Sequence, residues 1–247
     1  MSTNNKWFQV TRPKQETLAR IICFPYAGAG PSVFNSWYKY LPENIELVTA
    51  HYPGRESRSD EALFYDLGDL VHNLCLHMSH ILDKPYVFFG HSMGAYVAFE
   101  LAKLLSAKSK PAPEQLYLSA VKPPHYIEEE PIHQLNTKSF LKKVIQLDGV
   151  PKECLESSEY MMYLLPILRA DFASCERYRV HPPQAIDIPM TVLGGDNDPR
   201  VDQACLGDWV HHCNSHFNQK VFPGGHFYLN QHHHQIINNI VFDIRNY

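Results

Sequence analysis

Long apolar runs are missing from this 247-residue chain. No stretch approaches the roughly 20 residues needed to cross a bilayer as a helix, and the polar start Met1 to Lys6 has no signal-peptide core. A soluble, cytoplasmic protein is expected. Basic excess is missing too: Lys and Arg number 22 against 26 Asp and Glu, a formal net charge of −4. No Lys/Arg cluster alternates with aromatics, which argues against nucleic acid as a partner. The six cysteines form no C-x-x-C pair, so reduced thiols are expected, with Cys23 inside a strand-like run. The fifteen histidines include His211-His212 and His232-His233-His234 but no spaced set such as H-E-x-x-H. Adjacent histidines on a helix point in different directions, so these read as surface residues and no metal is expected.

What the chain does have is alternation. Strand-like runs occur at Arg20 to Phe24, Ile45 to Ala50, Tyr86 to Phe89, Gln115 to Val121, Ile188 to Leu193 and Gln219 to Phe222. Helical patterns lie at Leu67 to Leu82, Met93 to Leu105 and His234 to Ile244. Such an order predicts an α/β protein with a mostly parallel central sheet flanked by helices, and the length suits a single domain over residues 1–247. One interval is too long. Between Val121 and Ile188 lie about 65 residues, where a crossover needs ~12. Thr137 to Leu147 reads as a helix stopped at Gly149-Val150-Pro151, and Glu156 to Leu168 as another that Pro166 bends or ends. Their apolar content exceeds what two exposed helices can hide, so a helical lid insertion over approximately 123–185 is expected across the carboxyl edge of the sheet.

The chemistry enters at Gly90-His91-Ser92-Met93-Gly94, which follows the apolar run Tyr86 to Phe89 and opens a helical pattern. Gly-x-Ser-x-Gly between strand and helix is the signature of a nucleophile elbow, a strained turn that projects one hydroxyl. A serine that is merely small at a tight turn would not need that context. Ser92 is the candidate nucleophile. A serine hydroxyl needs a base within reach and a carboxylate to fix the base's tautomer, in the chain order serine, acid, histidine. After Ile188 to Leu193 comes Gly194-Gly195-Asp196-Asn197-Asp198-Pro199-Arg200-Val201, and after Gln219 to Phe222 comes Pro223-Gly224-Gly225-His226-Phe227. His226 is the candidate base. Asp198 is the preferred acid, from the spacing Gly195-x-x-Asp198-x-x-Val201, with Asp196 as the alternative. Two backbone N–H groups must face the developing oxyanion: Met93 supplies one, and the loop Phe24-Pro25-Tyr26-Ala27-Gly28-Ala29-Gly30 the other, at Tyr26 or alternatively Ala27.

The chain resembles the type II thioesterases of nonribosomal peptide and polyketide synthetases. The matching blocks are Cys23 to Gly30, Tyr52-Pro53-Gly54-Arg55, Gly90 to Ala95, Leu168-Arg169-Ala170-Asp171-Phe172, Gly194 to Asp198 and Gly224-Gly225-His226-Phe227. The Pro-Gly-Arg and Arg-Ala-Asp-Phe blocks are the more particular ones, and Gly28-Ala29-Gly30 departs from the adjacent glycines of many relatives. This resemblance implies an α/β-hydrolase fold with a helical lid. It also implies hydrolysis of acyl thioesters from the phosphopantetheine arms of carrier domains, clearing stalled or mis-primed synthetases. No cofactor is implied, because phosphopantetheine arrives on the substrate protein.

Arg55 and Arg169 are candidates for gripping the pantetheine phosphate, or equally for holding loops through internal carboxylates, the latter being preferred. Carrier domains are usually acidic, so Lys142 and Lys143 with Lys138 in the lid, or Lys103, Lys108 and Lys110 after the elbow helix, are candidate contacts. A monomer is the simplest expectation. The other readings are a general carboxylesterase and a noncatalytic carrier-binding scaffold on the same fold.

Overall fold

Phe88 and Phe89 are neighbours in sequence, both fully buried, yet they belong to two different apolar clusters. Successive side chains of a strand point to opposite faces, so a sheet that buries both must be covered on both sides. The structure is a computed structural model that describes residues 5–11, 16–126, 131–147, 150 and 157–245. Its sheet has seven strands: β1 (Phe8–Thr11), β2 (Ala19–Phe24), β3 (Ile45–Ala50), β4 (Tyr86–His91), β5 (Leu116–Ser119), β6 (Met190–Gly195) and β7 (Phe217–Phe222). They lie in the order β1-β3-β2-β4-β5-β6-β7. Only β1 is antiparallel to its neighbour; every other pairing is parallel.

Two helices cover one face, α1 (Leu67–His77) and α2 (Met93–Ala107), packed on Ile22, Phe24, Phe88, Leu116 and Val192. The other face, with Ile21, Cys23, Val87, Phe89 and Tyr117, is covered by α6 (Leu229–Ile244) and by Phe34 and Trp37. Between β5 and β6 the chain forms α3 (Thr137–Gln146) and α4 (Ser158–Arg177), and before β7 the short α5 (Gln203–Gly207). This is the α/β-hydrolase arrangement. Among the described residues no helix is long and apolar enough to cross a membrane.

Several boundaries differ from the sequence expectation, each for a local reason. β1 was not expected: only Phe8 of its four residues is buried, so an edge strand with a largely solvated face leaves little apolar pattern. The first helix stops at His77 rather than Leu82, and a separate 3-10 turn at Ser79–Ile81 follows Met78. Pro166 neither ends nor replaces α4, which continues to Arg177. Its missing N–H would have bonded the carbonyl of Met162, a residue 77% exposed where water can serve that carbonyl. Beyond it, Ile167, Leu168 and Ala170 to Ser174 are buried and hold the helix in place. The expected start at Glu156 and most of the expected stop at Gly149-Val150-Pro151 lie outside the described residues. α6 begins at Leu229, before the expected His234, because Asn230 to His234 are polar and interrupt the apolar period.

The histidines are not all surface groups. His212 is fully buried. Its Nδ1 donates to the Gln184 carbonyl at 3.2 Å, leaving Nε2 to accept from His125 Nδ1 at 2.9 Å. Burial drives His212 down to about 4, below its ordinary 6.5. A histidine held neutral in the folded state contributes stability that is present above its unfolded pKa and is lost as pH falls toward the folded value. The melting temperature is therefore expected to drop between pH 6.5 and 4, and the acid limb to be shallower in His212→Asn; equal slopes by scanning calorimetry would refute the assignment.

Candidate active site

The elbow is set by two backbone collisions that only glycine avoids. A Cβ at Gly90 would lie 2.2 Å from the Gly94 carbonyl oxygen, and one at Gly94 would lie 2.0 Å from the Phe24 oxygen. Strand β4 can thus turn directly into α2, with the loop after β2 drawn against the helix N-terminus. Ser92 sits at the turn with φ 54° and ψ −120°, a strained conformation for a residue with a side chain. Its N–H donates to the Ser119 carbonyl at 2.8 Å, which fixes the elbow to β5.

The structure brings the three expected side chains into line. Ser92 Oγ lies 3.1 Å from His226 Nε2, and His226 Nδ1 lies 2.8 Å from Asp198 Oδ2. Ser92 and His226 are buried, at 8% and 1% exposed, and the Asp198 carboxylate is covered although its residue is only partly buried. Asp198 accepts the Arg200 N–H at Oδ1, 2.8 Å away, so its second oxygen stays aimed at the ring. In this order the acid fixes the Nδ1–H tautomer and leaves Nε2 free to take the serine proton.

Asp196, the alternative acid, is elsewhere. Its Oδ1 accepts the Gly224 N–H at 2.8 Å and the Asn197 side-chain amide at 2.7 Å. It shapes the histidine loop through the main chain and does not touch the ring. The two loops meet backbone to backbone, since a Cβ at Gly195 would lie 2.4 Å from the Gly224 oxygen and 2.6 Å from that of Gly225.

Met93 is the first residue of α2, where a helix N–H has no carbonyl one turn back to bond. Tyr26 and Ala27 follow β2, with the Tyr26 ring edge-on to His91 and Phe227. Met93 therefore adjoins the serine, and the Tyr26 ring packs on His91, the residue before it. A cavity of about 140 Å³ opens beside Ser92, walled by Met93, Tyr96, Phe172, Cys175 and Arg200. A second, of about 110 Å³, lies along the Tyr26 to Gly30 loop, walled by Tyr160, Tyr163, Leu164 and Leu168. Helix α4 thus lines both.

Arg55 is not available to a phosphate, and Arg169 is partly committed to the main chain. Arg55 is 3% exposed and makes a two-pronged ion pair with Asp171, Nη1 to Oδ2 at 2.7 Å and Nη2 to Oδ1 at 3.0 Å. Its remaining donors reach the Pro53 and Ala29 carbonyls. Asp171 Oδ2 also accepts the Gly28 N–H at 2.7 Å. Arg169 donates to the His133 and Leu135 carbonyls and lies over the Phe140 ring. Arg55 takes the preferred structural role, because its guanidinium is buried and engaged by Asp171, which corrects the phosphate alternative there; Arg169 commits Nη1 to the two carbonyls and is half-buried. Lys142 and Lys143 are exposed on α3.

Sequence reasoning missed the partner of Asp171. The one available signal was that the Arg55 and Asp171 blocks were the two most family-particular ones. It also missed Glu176, which binds the Ile132 and His133 N–H groups and the His133 ring, and Glu56, which holds Ser32 while its own N–H donates to Tyr163 Oη at 3.0 Å. Breaking a buried pair by removing one partner costs ~3–5 kcal/mol, whereas replacing both with apolar groups costs much less. Arg55→Met is expected to lose about that much in urea unfolding, and Arg55→Met with Asp171→Leu to lose less; an additive double variant would deny the coupling.

The family model for the thioesterase domain matches residues 19–243. The gramicidin S biosynthesis protein GrsT of Aneurinibacillus migulanus is 33% identical, over 96% of this chain and 93% of its own. Thioesterase PikA5 of Streptomyces venezuelae is 32% identical, over 95% and 84%. The solved structure of BorB, the type II thioesterase of the borrelidin biosynthetic cluster, superimposes with a TM-score of 0.88 at 30% identity, covering 96% of this chain and 97% of BorB. With an elbow serine, a histidine and an aspartate aligned on an α/β-hydrolase sheet, the chain belongs to the thioesterase domain family.

Proposed function

We propose that this protein is a type II, editing thioesterase that hydrolyses acyl groups from the phosphopantetheine arms of carrier domains in nonribosomal peptide or polyketide synthetases. The observation that carries the mechanism is the alignment of Ser92 Oγ, His226 and Asp198 at 3.1 and 2.8 Å. Ser92 Oγ attacks the thioester carbon while its proton passes to His226 Nε2. Asp198 stabilises the imidazolium that forms. The tetrahedral oxyanion faces the N–H groups of Met93 and Tyr26. As it collapses, the C–S bond breaks and the pantetheine sulfur leaves as a thiol with the His226 proton. Water then gives a proton to His226 as it attacks the acyl carbon, and as the bond from that carbon to Ser92 Oγ breaks, His226 returns the proton to Oγ, releasing the carboxylic acid and the restored serine. No metal or bound cofactor enters this route.

The acyl group has an apolar wall to meet in α4, including Phe172 at the serine cavity and Leu164 and Leu168 along the oxyanion loop. The carrier partner is acidic in this reading, and the exposed Lys142 and Lys143 of α3 supply the cations that attract it. One chain contributes every group of the site, which suits a monomer in the cytoplasm.

Release of acyl groups from an acyl-phosphopantetheinyl carrier domain tests the reading. Wild type is expected to hydrolyse the thioester and Ser92→Ala to lose on the order of 10⁴-fold or more. Asp198→Asn should fall by a comparable factor, and Asp196→Asn far less; the reverse ranking would reassign the acid. Simple oxygen esters cleaved as fast as the carrier thioester would favour a general esterase, and no labelling of wild type by a fluorophosphonate would favour a noncatalytic scaffold. Reversing Lys142 and Lys143 to Glu is expected to raise KM for the carrier substrate with kcat kept; an unchanged KM removes them from the docking surface.

A further inference from the structure

Behind the catalytic histidine runs a second polar chain that the mechanism does not use. His91, the residue between Gly90 and Ser92, is fully buried, as is Ser119 at the end of β5, and Tyr228 is 2% exposed. Ser119 Oγ lies 2.8 Å from His91 Nδ1 and 2.6 Å from Tyr228 Oη. Desolvating three polar side chains costs free energy that apolar residues of the same shape would not cost. Their positions give a reason for it. His91 adjoins the nucleophile, Tyr228 is two residues beyond the base, and the Ser119 carbonyl already holds the Ser92 N–H.

The direction of the protons follows from the donors present. A buried phenol hydroxyl must donate, and the described partner of Tyr228 Oη is Ser119. Tyr228 therefore donates to Ser119 Oγ, and Ser119 donates to His91 Nδ1. The His91 proton is left on Nε2. That nitrogen is buried with no hydrogen-bond partner among the described residues, and the His226 main chain acts on the His91 ring as a hydrogen-bond acceptor would, favouring its protonated form. The two imidazole rings have their centroids 5.3 Å apart. Burial, with His226 and Arg200 as lesser contributions, drives the His91 pKa well down, so its ring stays neutral and keeps this tautomer.

We propose that His91, fixed by Tyr228 and Ser119 as the Nε2–H tautomer, is a positioning residue that holds the main chain of His226 and so sets its ring against Ser92. The inference rests on the triad reading given above. Asp198 steadies the base at Nδ1, and His91 steadies the segment that carries it. Hydrogen bonds around a catalytic base are often long before substrate binds and tighten in the complex, so the unpartnered Nε2 of His91 is compatible with this role.

The test compares His91→Phe, which keeps a flat ring and removes both nitrogens, with His91→Gln, which restores an N–H donor and an acceptor. Substrates are a butyryl N-acetylcysteamine thioester and the acyl-carrier domain, with Ser92→Ala as the control. His91→Phe is expected to lower kcat by about 10- to 100-fold, the scale of a small misplacement of a reacting group. Its KM should stay within about twofold and its melting temperature near wild type, and His91→Gln should recover most of the rate. In ¹⁵N-histidine-labelled protein, the downfield proton between His226 Nδ1 and Asp198 should shift in His91→Phe and return in His91→Gln. Full kcat in a folded His91→Phe, or a His226 proton signal unmoved by it, would overturn the proposal. Should His91→Phe fail to fold, Tyr228→Phe removes a single oxygen and carries the same comparison, with an unchanged kcat again refuting the idea. If wild type turns over neither thioester, the thioesterase reading fails separately, and the downfield proton still decides the role of His91.

Discussion

The carboxylate of Asp171 is the constraint on which the rest of the site depends. It is buried in α4, pairs with Arg55 from the loop after β3, and accepts the N–H of Gly28 in the loop after β2. One side chain thus joins the inserted helix, the Pro-Gly-Arg loop and the loop that carries the expected oxyanion donor. A buried ion pair is weak evidence of net stability, because desolvation offsets much of the attraction. Its value here is geometric: few other arrangements of these three segments leave neither charge unpaired. The same helix supplies the walls of both cavities, so the shape offered to an acyl group is set by the helix that Asp171 anchors.

Much of this could be read in the sequence because it obeys local rules. Gly90 and Gly94 flank the serine for steric reasons that act within a few residues, and the chain order of Ser92, Asp198 and His226 follows from strand order in a parallel sheet. The buried strands stood out as continuous apolar runs. What escaped depended on distance or on weak patterning. β1 has one buried residue to announce it, and α4 survives Pro166 because of what packs beyond that residue. The partner of Arg55 lies 116 positions along the chain, where no spacing rule reaches. The choice between Asp198 and Asp196 turned on which carboxylate faces the ring and which faces the Gly224 N–H, a matter of two residues on one loop.

The histidines show how far environment outweighs composition. Read as a count, fifteen suggested either a metal or a solvated surface. In the fold they divide by burial. His212 and His91 are kept neutral in the interior, His133 is clasped by Glu176, and His226 stands between an acid and a nucleophile. Residue type sets what a side chain can do, and the neighbours it is folded against decide which of those things it does.

The close approach of Gly195 to the carbonyls of Gly224 and Gly225 makes the acid loop and the base loop one mechanical unit. A side chain at position 195 would lever the two apart, and the displacement would appear at His226, far from the site of change in the sequence. The loops are therefore exchangeable between relatives only as a pair. Random variation at either should be tolerated at their solvent-facing tips and rejected along the seam where main chain meets main chain.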